Sequence, residues 1–409
     1  MARYGLLGGQ LGHSYSPLLH RLLGGYDYDL CPHPDEAGAL AFVREGGYAG
    51  LNVTIPYKRA VVPLCAALSP VAEALGSVNT LVRRADGSLY GDNTDYEGFR
   101  WMLARAGLNP AGRKCLVLGS GGAAVTVRAV LTALGAAEVV TISRRGPDHY
   151  GNLDRHADAG LIVNATPVGM YPDSDAAPLS LEGFPALAGV ADLIYNPGRT
   201  RLLQQAEALG IPHAGGLSML AAQARRAAEL FTGRDIPDAA LEAALAAVEG
   251  QSRNIAIIGM PGAGKTTTGR RLAAALGRPF LDMDEELRRR TGRSSAEIIR
   301  ADGEDAFRRA ETALLADVGR RSGIVLATGG GVVTRPENYF HLRQNSRVVF
   351  LNRRDIDALP TAGRPLSQAR SPRALAQERL PLYRSWCDLE VDAIGPEATV
   401  AQLRKELGL

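Results

Sequence analysis

The stretch GMPGAGKTT, at residues 259–267, decides the fold of the C-terminal part of the chain. It fits the pattern G-x-x-x-x-G-K-[ST], in which glycine backbone N–H groups face the phosphates of a nucleotide. NIAIIG (254–259) predicts a buried strand before it, and GRRLAAALG (269–277) predicts a helix after it. The positive N-terminal end of such a helix adds to phosphate binding. The alternative is an ordinary glycine-rich turn between a strand and a helix.

In this architecture the loop follows the first strand, so the domain begins near Ser252 and about 250 residues of other structure precede it. Lys265 is expected on the outer phosphates of ATP, and the Thr266 hydroxyl is expected to ligate Mg²⁺. The remaining loop positions that we assign to the nucleotide are Gly262, Ala263, Gly264 and Thr267.

Length and composition exclude several classes of protein. A chain of 409 residues with 46% apolar and 22% charged residues is expected to form two to four globular domains. The strands that lead through loops into helices around the motifs predict the α/β class. It contains no apolar run of membrane-spanning length, and MARYGLLGG does not have the layout of a signal peptide. The net charge of +3 is too small to indicate nucleic-acid binding. The four scattered cysteines have no metal or disulfide spacing, so we expect a cytoplasmic protein.

The choice of basic residues is unusual. Of 46 lysines and arginines, only Lys58, Lys114, Lys265 and Lys405 are lysine. An ammonium is compact and its pKa can be lowered, whereas a guanidinium does not deprotonate in proteins. Lysine in this chain therefore suggests a position that needs an ammonium, which singles out Lys58 beside Lys265. Lys405 lies in a polar C-terminal helix and needs no such role.

Polar residues follow several predicted strands in the first 95 residues. RYGLLG (3–8) predicts a buried strand before GHSYSPLLH (12–20), and GLNVTIPYK (50–58) places Lys58 just past another strand. SVNTLV (77–82) and YGDNTDYEG (90–98) add further polar groups at strand ends. Taken singly, these residues can be explained as ordinary helix caps or turn residues. Together they offer hydroxyls, an amide, an ammonium and a carboxylate, a set that suits a small polyhydroxylated ligand.

The motifs HSxSPxxH, GxNVTxPxK, VNT and GxxNTDxxG, in this order, resemble the substrate domain of shikimate dehydrogenase. The resemblance implies that Lys58 is the catalytic lysine and that Asp95 assists it. It also implies substrate contacts at Ser14, Ser16, Thr54, Asn79 and Asp95. Arg21 departs from the family pattern, which usually has asparagine there, at a position peripheral to the chemistry.

A second nucleotide-binding pattern lies between these motifs and the phosphate loop. Strand KCLVLG (114–119) runs into GSGGAA, a G-x-G-x-x-A pattern with Gly119, Gly121 and Ala124 at its key positions. The next predicted strand, EVVTIS, ends at Ser143-Arg144-Arg145, where an NAD site would carry a carboxylate for the ribose. Two arginines suit the 2′-phosphate of NADP(H) instead. An ordinary basic turn is the alternative.

NATPVGM (164–170), DLIYNPGRTRLL (192–203) and GGLSMLAAQA (215–224) are also similar to shikimate dehydrogenase motifs, so the resemblance covers residues 3 to about 248. It implies that Tyr195 and Gln223 contact the substrate and that the final helices, at about 216–249, complete the substrate domain. The residues of this half that we assign to the cofactor are Gly119, Ser120, Gly121, Gly122, Ala123, Ser143, Arg144, Arg145, Leu193 and Gly216.

The segment after the phosphate loop resembles shikimate kinase. FLDMDEEL (280–287) places two aspartates two residues apart, and strand alternation is expected to send both side chains to one face. GEDAFRRAE, the triplet Gly329 to Gly331, GRPL and ERLPLYR match further family motifs in order. One carboxylate, assigned here to Asp282, can hold Mg²⁺ through water, and the other can bond a substrate hydroxyl; a solvated helix cap is the alternative for either alone. The resemblance implies that shikimate is bound by Asp284, Arg308, Gly330 and Arg379. Asp284 would also orient the nucleophile.

The lid expected to close over ATP departs from the kinase pattern. It contains Arg364, but RRDIDALPTAG (353–363) is short and lacks a basic residue midway. We therefore expect lid contacts with ATP to differ from those of the family.

The sequence predicts a bifunctional enzyme that reduces 3-dehydroshikimate with NADPH and then phosphorylates shikimate with MgATP. The predicted parts are a substrate domain (1–95), a Rossmann domain (96–215), a linker (250–253) and a phosphate-loop domain (254–409). No nucleic acid or membrane is expected as a partner, and the oligomeric state is open, a homodimer included. Two alternatives stand: a quinate/shikimate dehydrogenase fused to a small-metabolite kinase, or an inactive regulatory module in one half.

Overall fold

A computed structural model of the chain describes residues 2–12, 14–357 and 371–408. The chain divides into two units, residues 1–249 and residues 250–409. Three sheets account for the strands described: two lie in the first unit and one in the second. In the part of the chain that the structure describes, no helix is both long and apolar enough to cross a membrane.

The first sheet is mixed and has the strand order β2-β1-β3-β5-β6-β4. Its strands are β1 (Tyr4–Gly8), β2 (Tyr28–Pro32), β3 (Gly50–Val53), β4 (Ala67–Leu68), β5 (Thr80–Arg83) and β6 (Leu89–Asp92). The helices along it are α1 (Ser16–Gly24), α2 (Glu36–Glu45) and α3 (Pro70–Leu75). Strand β5 runs antiparallel to both β3 and β6, so its first residues lie beside the last residues of its neighbours.

The second sheet is parallel and has the order β11-β10-β9-β7-β8. Its elements are α4 (Asp95–Arg105), β7 (Lys114–Leu118), α5 (Gly122–Ala133), β8 (Glu138–Ile142), β9 (Leu161–Asn164), β10 (Val190–Asp192), α6 (Arg201–Ala208) and β11 (His213–Gly215). Apolar clusters cover both faces, as expected for a parallel sheet packed between helices.

Two helices complete the first unit, α7 (Gly216–Thr232) and α8 (Asp238–Ser252). Small alanines of α7 pack with Leu19 of α1 and with Leu241 and Leu245 of α8. Helix α7 thus starts at the end of the second sheet and returns to the first. Helix α8 extends two residues past Gly250, where the sequence predicted the start of a linker, because one glycine does not end a helix whose backbone bonds continue.

The sheet of the second unit is parallel throughout, with the order β13-β14-β12-β15-β16. Its strands are β12 (Asn254–Ile258), β13 (Phe280–Asp282), β14 (Val325–Ala327), β15 (Ser346–Asn352) and β16 (Leu389–Asp392). Its helices are α9 (Lys265–Leu276), α10 (Met283–Thr291), α11 (Ser295–Asp302), α12 (Glu304–Val318), α13 (Glu337–Arg343), α14 (Pro372–Trp386) and α15 (Pro396–Leu407). The central strand β12 leads into the phosphate loop, as the sequence predicted.

Candidate active sites

The first unit contains a cavity of about 380 Å³ whose wall includes the polar residues predicted from its strand ends. Helix α7 and the loop after β10 close one side of it. The predicted residues that line it are Ser14, Ser16, Thr54, Lys58, Asn79, Asp95, Tyr195 and Gln223, together with Ala123, Leu193 and Gly216. The fold thus brings together groups that are up to about 200 positions apart in the sequence.

An ion pair forms the chemical centre of this cavity. Lys58 Nζ lies 2.5 Å from Asp95 Oδ2, and the two side chains are 28% and 18% exposed. Their partial exposure leaves the ammonium accessible to a ligand in the cavity. A lysine held by a carboxylate in this way can exchange a proton with a carbonyl or hydroxyl oxygen.

Asn79 holds the other oxygen of the carboxylate: its Nδ2 donates to Asp95 Oδ1 at 2.9 Å. The sequence placed Asn79 at the end of a strand, but it precedes β5. Because β5 is antiparallel to β6, the start of β5 lies beside the end of β6 and the N-terminus of α4. Antiparallel pairing therefore brings Asn79 to Asp95.

Helix α7 brings Gln223 and Gly216 to the cavity. The Gln223 amide donates to Leu220 O at 2.9 Å, and its oxygen accepts from Thr94 Oγ1 at 3.3 Å. A Cβ on Gly216 would lie 2.0 Å from Leu193 O, so the helix can start against this loop only with glycine. Burial raises the pKa of Tyr195, which keeps its hydroxyl protonated.

The hydroxyls of Ser14 and Ser16 differ in their surroundings. Ser14 Oγ accepts the backbone N–H of Ser16 at 3.2 Å, which is part of the helix-start role that the sequence allowed. No side chain caps α1 itself, and Ser16 is buried in its first turn. Both residues line the cavity, so the cap and ligand interpretations are compatible for Ser14.

A cavity of about 620 Å³ lies at the carboxyl ends of β7 and β8. Gly119, Ser120, Gly121, Ser143 and Arg144 line it. Gly119 has a φ of +104°, and a Cβ there would lie 2.9 Å from Thr166, so the turn requires glycine. Gly122 then begins α5, whose N-terminus suits a pyrophosphate. These residues fit a dinucleotide.

The two arginines of the predicted pair are placed differently. Arg144 lines the dinucleotide cavity, whereas the exposed Arg145 does not, and the Ser143 hydroxyl donates to the Arg145 carbonyl. Tyr150 and Thr166 also line the cavity and were not singled out by the sequence. Neither Asp nor Glu is among the described residues that line it.

In the second unit the phosphate loop has the backbone that its glycines predict. Gly259, Gly262 and Gly264 have φ angles of +147°, +82° and +98°, which favour glycine. Lys265 is buried, and its ammonium donates to Gly259 O and Met260 O at 2.9 and 3.0 Å. The ammonium therefore lies against the loop that would hold the phosphates.

The metal prediction concerns Thr266 and Asp282. The Thr266 hydroxyl donates to Asp282 Oδ2 at 2.6 Å. One hydroxyl and one carboxylate beside a phosphate site fit Mg²⁺, which keeps several waters and takes further oxygens from phosphates. Among the described residues, no group of three or more His, Cys, Asp or Glu side chains could hold a metal ion, so the fit depends on a bound nucleotide.

The strand-alternation argument for the two aspartates was wrong. Asp282 is the last residue of β13 and the N-cap of α10, and its Oδ1 accepts from the backbone N–H of Asp284 at 2.9 Å. Asp284 lies inside the helix. Both still line one cavity of about 370 Å³, because the helix starts directly beside the phosphate loop.

The same cavity contains the predicted shikimate residues Asp284, Arg308, Gly330 and Arg379. Arg308 donates to the buried Glu311 at 2.7 Å and to Glu304 at 3.1 Å. Arg379 donates to Gly330 O at 3.3 Å. Burial raises the pKa of Glu311, although Arg308 opposes the shift. The sequence did not identify Glu311, despite its place within G-E-x-x-F-R-x-x-E.

The glycine triplet is explained by three different neighbours. A Cβ on Gly329 would lie 2.2 Å from Glu311 Oε1, and one on Gly330 would lie 2.6 Å from Pro261. A Cβ on Gly331 would lie 2.2 Å from the Arg308 guanidinium nitrogens. The triplet therefore lets the strand end pass between the phosphate loop and the Arg308–Glu311 pair.

A further cavity of about 730 Å³ lies on the other side of the loop. Ala263, Gly264 and Thr267 line it together with Arg353 and Arg354 after β15. The cavity of about 370 Å³ that contains the predicted shikimate residues is also lined by the loop, at Gly262, Gly264, Thr266 and Thr267. The loop therefore separates these two cavities. Arg364 and most of the predicted lid lie outside the described residues.

Comparison with known proteins adds to this geometry. A family model described as "Shikimate dehydrogenase substrate binding domain" matches residues 6–81, and one described as "Shikimate 5'-dehydrogenase C-terminal domain" matches residues 216–246. The shikimate dehydrogenase (NADP(+)) of Oleidesulfovibrio alaskensis is 43% identical over 265 residues, covering 59% of this chain and 94% of that protein. The chain belongs to the shikimate dehydrogenase family. A shikimate kinase family model matches residues 261–407.

Two solved structures similar to the dehydrogenase part bear on the cofactor. Shikimate 5-dehydrogenase of Thermus thermophilus, in complex with NADP(H) and shikimate, is 36% identical and covers 60% of this chain and 98% of that one, with a TM-score of 0.54. Quinate dehydrogenase of Corynebacterium glutamicum, in complex with NAD, is 28% identical and covers 60% and 99%, with a TM-score of 0.55.

The prediction of shikimate dehydrogenase domains followed by a shikimate kinase domain is confirmed, as is the α/β fold class. The roles of individual residues stay predictions that the cavities support. Asn52, Thr80, Thr94 and Glu311 are among the buried polar residues that the sequence analysis did not assign. Thr80 and Thr94 lie inside recognised motifs, but in those motifs a role was assigned only to their polar neighbours Asn79 and Asp95.

Proposed function

We propose that the first unit reduces 3-dehydroshikimate to shikimate with NADPH, and that the second transfers a phosphoryl group from MgATP to the 3-hydroxyl of shikimate. The product of the first reaction is the substrate of the second. The observation that carries the proposal is the Lys58–Asp95 pair, which lies in one cavity with Ser14, Ser16 and Asn79.

In the dehydrogenase site, NADPH when bound supplies the hydride. Lys58 would give its proton to the oxygen of the reduced carbonyl, and Asp95 Oδ2 would hold the ammonium and stabilise it. Ser14 and Ser16 would bind the far side of the ligand. Tyr195 and Gln223 would close the cavity from the loop after β10 and from α7.

In the kinase site, MgATP when bound supplies the phosphoryl group, with the metal held by Thr266 and Asp282. Asp284 would orient the shikimate hydroxyl and accept its proton. Arg308 and Arg379 would bind the shikimate carboxylate, because both guanidiniums line the cavity opposite the phosphate loop. Lys265 would release the loop carbonyls and bind the outer phosphates.

The cofactor assignment depends on the dinucleotide cavity. Arg144 and Ser143 line it, and its lining contains no carboxylate that could bind the 2′-hydroxyl of NAD. This favours NADPH over the NAD that is named for the similar quinate dehydrogenase. The alternative of an inactive half has no support in the geometry, since the substrate cavity of each half keeps its lysine, Lys58 in one and Lys265 in the other.

We also propose a cytoplasmic location, because the four cysteines are unpaired. Incubation with 3-dehydroshikimate and NADPH should oxidise NADPH, and later addition of ATP should form ADP and shikimate phosphate, identified by mass spectrometry. Separate assays with each substrate alone distinguish a single active half from two. Preference for quinate and NAD would support the alternative dehydrogenase, and failure of both reactions would contradict the proposal.

A further inference from the structure

A row of buried polar residues lies directly beneath the Lys58–Asp95 pair. Asn52, Asn79, Thr80 and Thr94 are 5%, 3%, 0% and 1% exposed. Buried amides and hydroxyls destabilise a fold unless hydrogen bonds satisfy them, and this row sits among apolar strands. The hydrogen bonds of these four side chains therefore show how each of them is held in place.

The orientation of the Asn79 amide is fixed by a backbone group. Asn79 Oδ1 accepts the backbone N–H of Thr94 at 2.7 Å. That N–H can only donate, so the amide oxygen must face it and the amide NH₂ must face the other way. Asn79 Nδ2 consequently donates to Asp95 Oδ1 at 2.9 Å.

The Asn52 amide limits the directions open to the Thr80 hydroxyl. Asn52 Nδ2 donates to the Asn79 carbonyl at 3.3 Å and to Thr80 Oγ1 at 2.9 Å, while Asn52 Oδ1 accepts from the Tyr28 hydroxyl at 2.7 Å. A backbone carbonyl only accepts, so the Asn52 amide cannot be reversed. Thr80 Oγ1 thus accepts from Asn52, and its hydrogen is left for Asn79 Oδ1 at 3.0 Å, which is nearer than its other neighbour, Thr94 Oγ1, at 3.3 Å.

These bonds form one directed chain from Tyr28 through Asn52, Thr80 and Asn79 to Asp95. Its last bond occupies Asp95 Oδ1, which leaves Oδ2 for Lys58. Resting on the proposed dehydrogenase function, we propose that Thr80 is a positioning residue: its hydroxyl adds a side-chain hydrogen bond to Asn79 Oδ1, beside the bond from the Thr94 backbone N–H, and so helps to hold the amide that orients the catalytic carboxylate. Thr80 is fully buried and does not line the cavity, so its action on the substrate is indirect.

The test replaces Thr80 by valine, which keeps the shape and removes the hydroxyl. We expect Thr80→Val to lower kcat for 3-dehydroshikimate reduction about 10- to 100-fold, because small misplacements of catalytic groups cost this much. KM for 3-dehydroshikimate should stay within about twofold, since the substrate contacts remain. Thr80→Ser should restore most of kcat.

A purely structural role is distinguished by an isotope effect, which does not depend on the fraction of folded enzyme. Solvent exchange from H₂O to D₂O should slow Thr80→Val more than wild type if proton transfer from Lys58 is impaired. The control is Thr126→Val, which alters another buried threonine of the first unit, in α5, and should leave kcat and the isotope effect unchanged. Kinase activity of the same chain should not change in any variant.

Wild-type kcat in Thr80→Val would overturn the proposal, as would a raised KM at unchanged kcat, which would indicate direct substrate contact. A lowered kcat with a wild-type isotope effect and no rescue by serine would show only a loss of folded enzyme, and would overturn it too. If Thr80→Val does not fold, Thr80→Cys supplies a weaker donor, and wild-type kcat there would count against the proposal. Failure of the proposed function itself would show earlier, as wild-type enzyme that does not reduce 3-dehydroshikimate.

Discussion

Replacement of Arg379 by alanine tests the carboxylate clamp of the kinase cavity. Arg379 is a buried residue of α14 that lines the kinase cavity; its Nη1 donates to Gly330 O at 3.3 Å, and its Nε lies 3.9 Å from Glu378 Oε1. Hydrogen bonds to charged groups contribute about 1.5–3 kcal/mol each. At about 1.4 kcal/mol for each factor of ten, loss of one such bond should raise KM for shikimate roughly 10- to 150-fold.

The assay follows ADP formation while shikimate is varied at saturating ATP, and then the reverse. Because Arg379 is directed at Gly330 and lies with Asp284 and Arg308, KM for ATP should change little. Arg384→Ala is the matched control: this residue follows on the same helix, is exposed, and pairs with Glu390 at 3.2 Å. A surface pair contributes at most about 1 kcal/mol and its loss should leave both constants unchanged.

Truncation of a buried arginine also leaves a void, so the variant is expected to unfold at a lower temperature. Dehydrogenase activity of the same chain and nucleotide binding by the second unit report whether the protein remains folded. The reasoning is refuted if KM for ATP rises while the response to shikimate stays flat, because Arg379 would then act on the nucleotide.

Three further predictions concern other sites. NADPH should give a higher kcat/KM than NADH, and Arg144→Ala should remove most of this preference; equal use of both cofactors by wild type would contradict the assignment. Lys58→Arg should lower only dehydrogenase turnover, by roughly 10²–10⁴-fold. Lys265→Arg should lower only kinase turnover, and Lys114→Arg should leave both activities unchanged. Loss of both activities in Lys58→Arg or in Lys265→Arg would refute separate chemistry at the two sites. Burial lowers the pKa of His20 to about 3 from 6.5. Below about pH 6.5 the unfolded state then binds more protons than the folded state. Each pH step of one towards pH 3 should therefore lower the free energy of unfolding of residues 1–249 by up to about 1.4 kcal/mol. In urea unfolding, this free energy should fall more steeply with acidification for wild type than for His20→Gln, and equal slopes would contradict the prediction.

The phosphate loop was predictable because its geometry is local. Gly259, Gly262 and Gly264 need φ angles that other residues avoid, and the strand and helix on either side are readable from a few residues. The same holds for Gly119 in the dinucleotide turn. Where a short segment sets both conformation and chemistry, a single sequence carries the information.

The sequence was less informative where a side chain's place depends on a distant partner. Asp284 was expected to share a strand face with Asp282, and a helix cap stood only as the alternative for either aspartate; the structure shows that Asp282 is the cap. Asn79 precedes its strand, and only the antiparallel pairing of β5 with β6 brings it to Asp95. Thr80 contacts Asn52, 28 positions away, which spacing does not connect, whereas Glu311 lies three residues after Arg308 on one helix, a spacing that could have identified it.

The use of lysine shows where an argument from composition holds and where it does not. Lys58 and Lys265 each lie in a cavity, against a carboxylate in one case and loop carbonyls in the other. Lys114 contradicts a simple rule, since it lies at the start of β7 with Glu138 at 3.5 Å and Asp158 at 3.1 Å, outside both cavities of its unit. The two exposed carboxylates hold it as a point charge, a task that arginine could also perform. Rarity therefore selects candidates for chemistry, and the contacts decide between them: a site lysine has a ligand cavity on one side, whereas a structural one is surrounded by its partners.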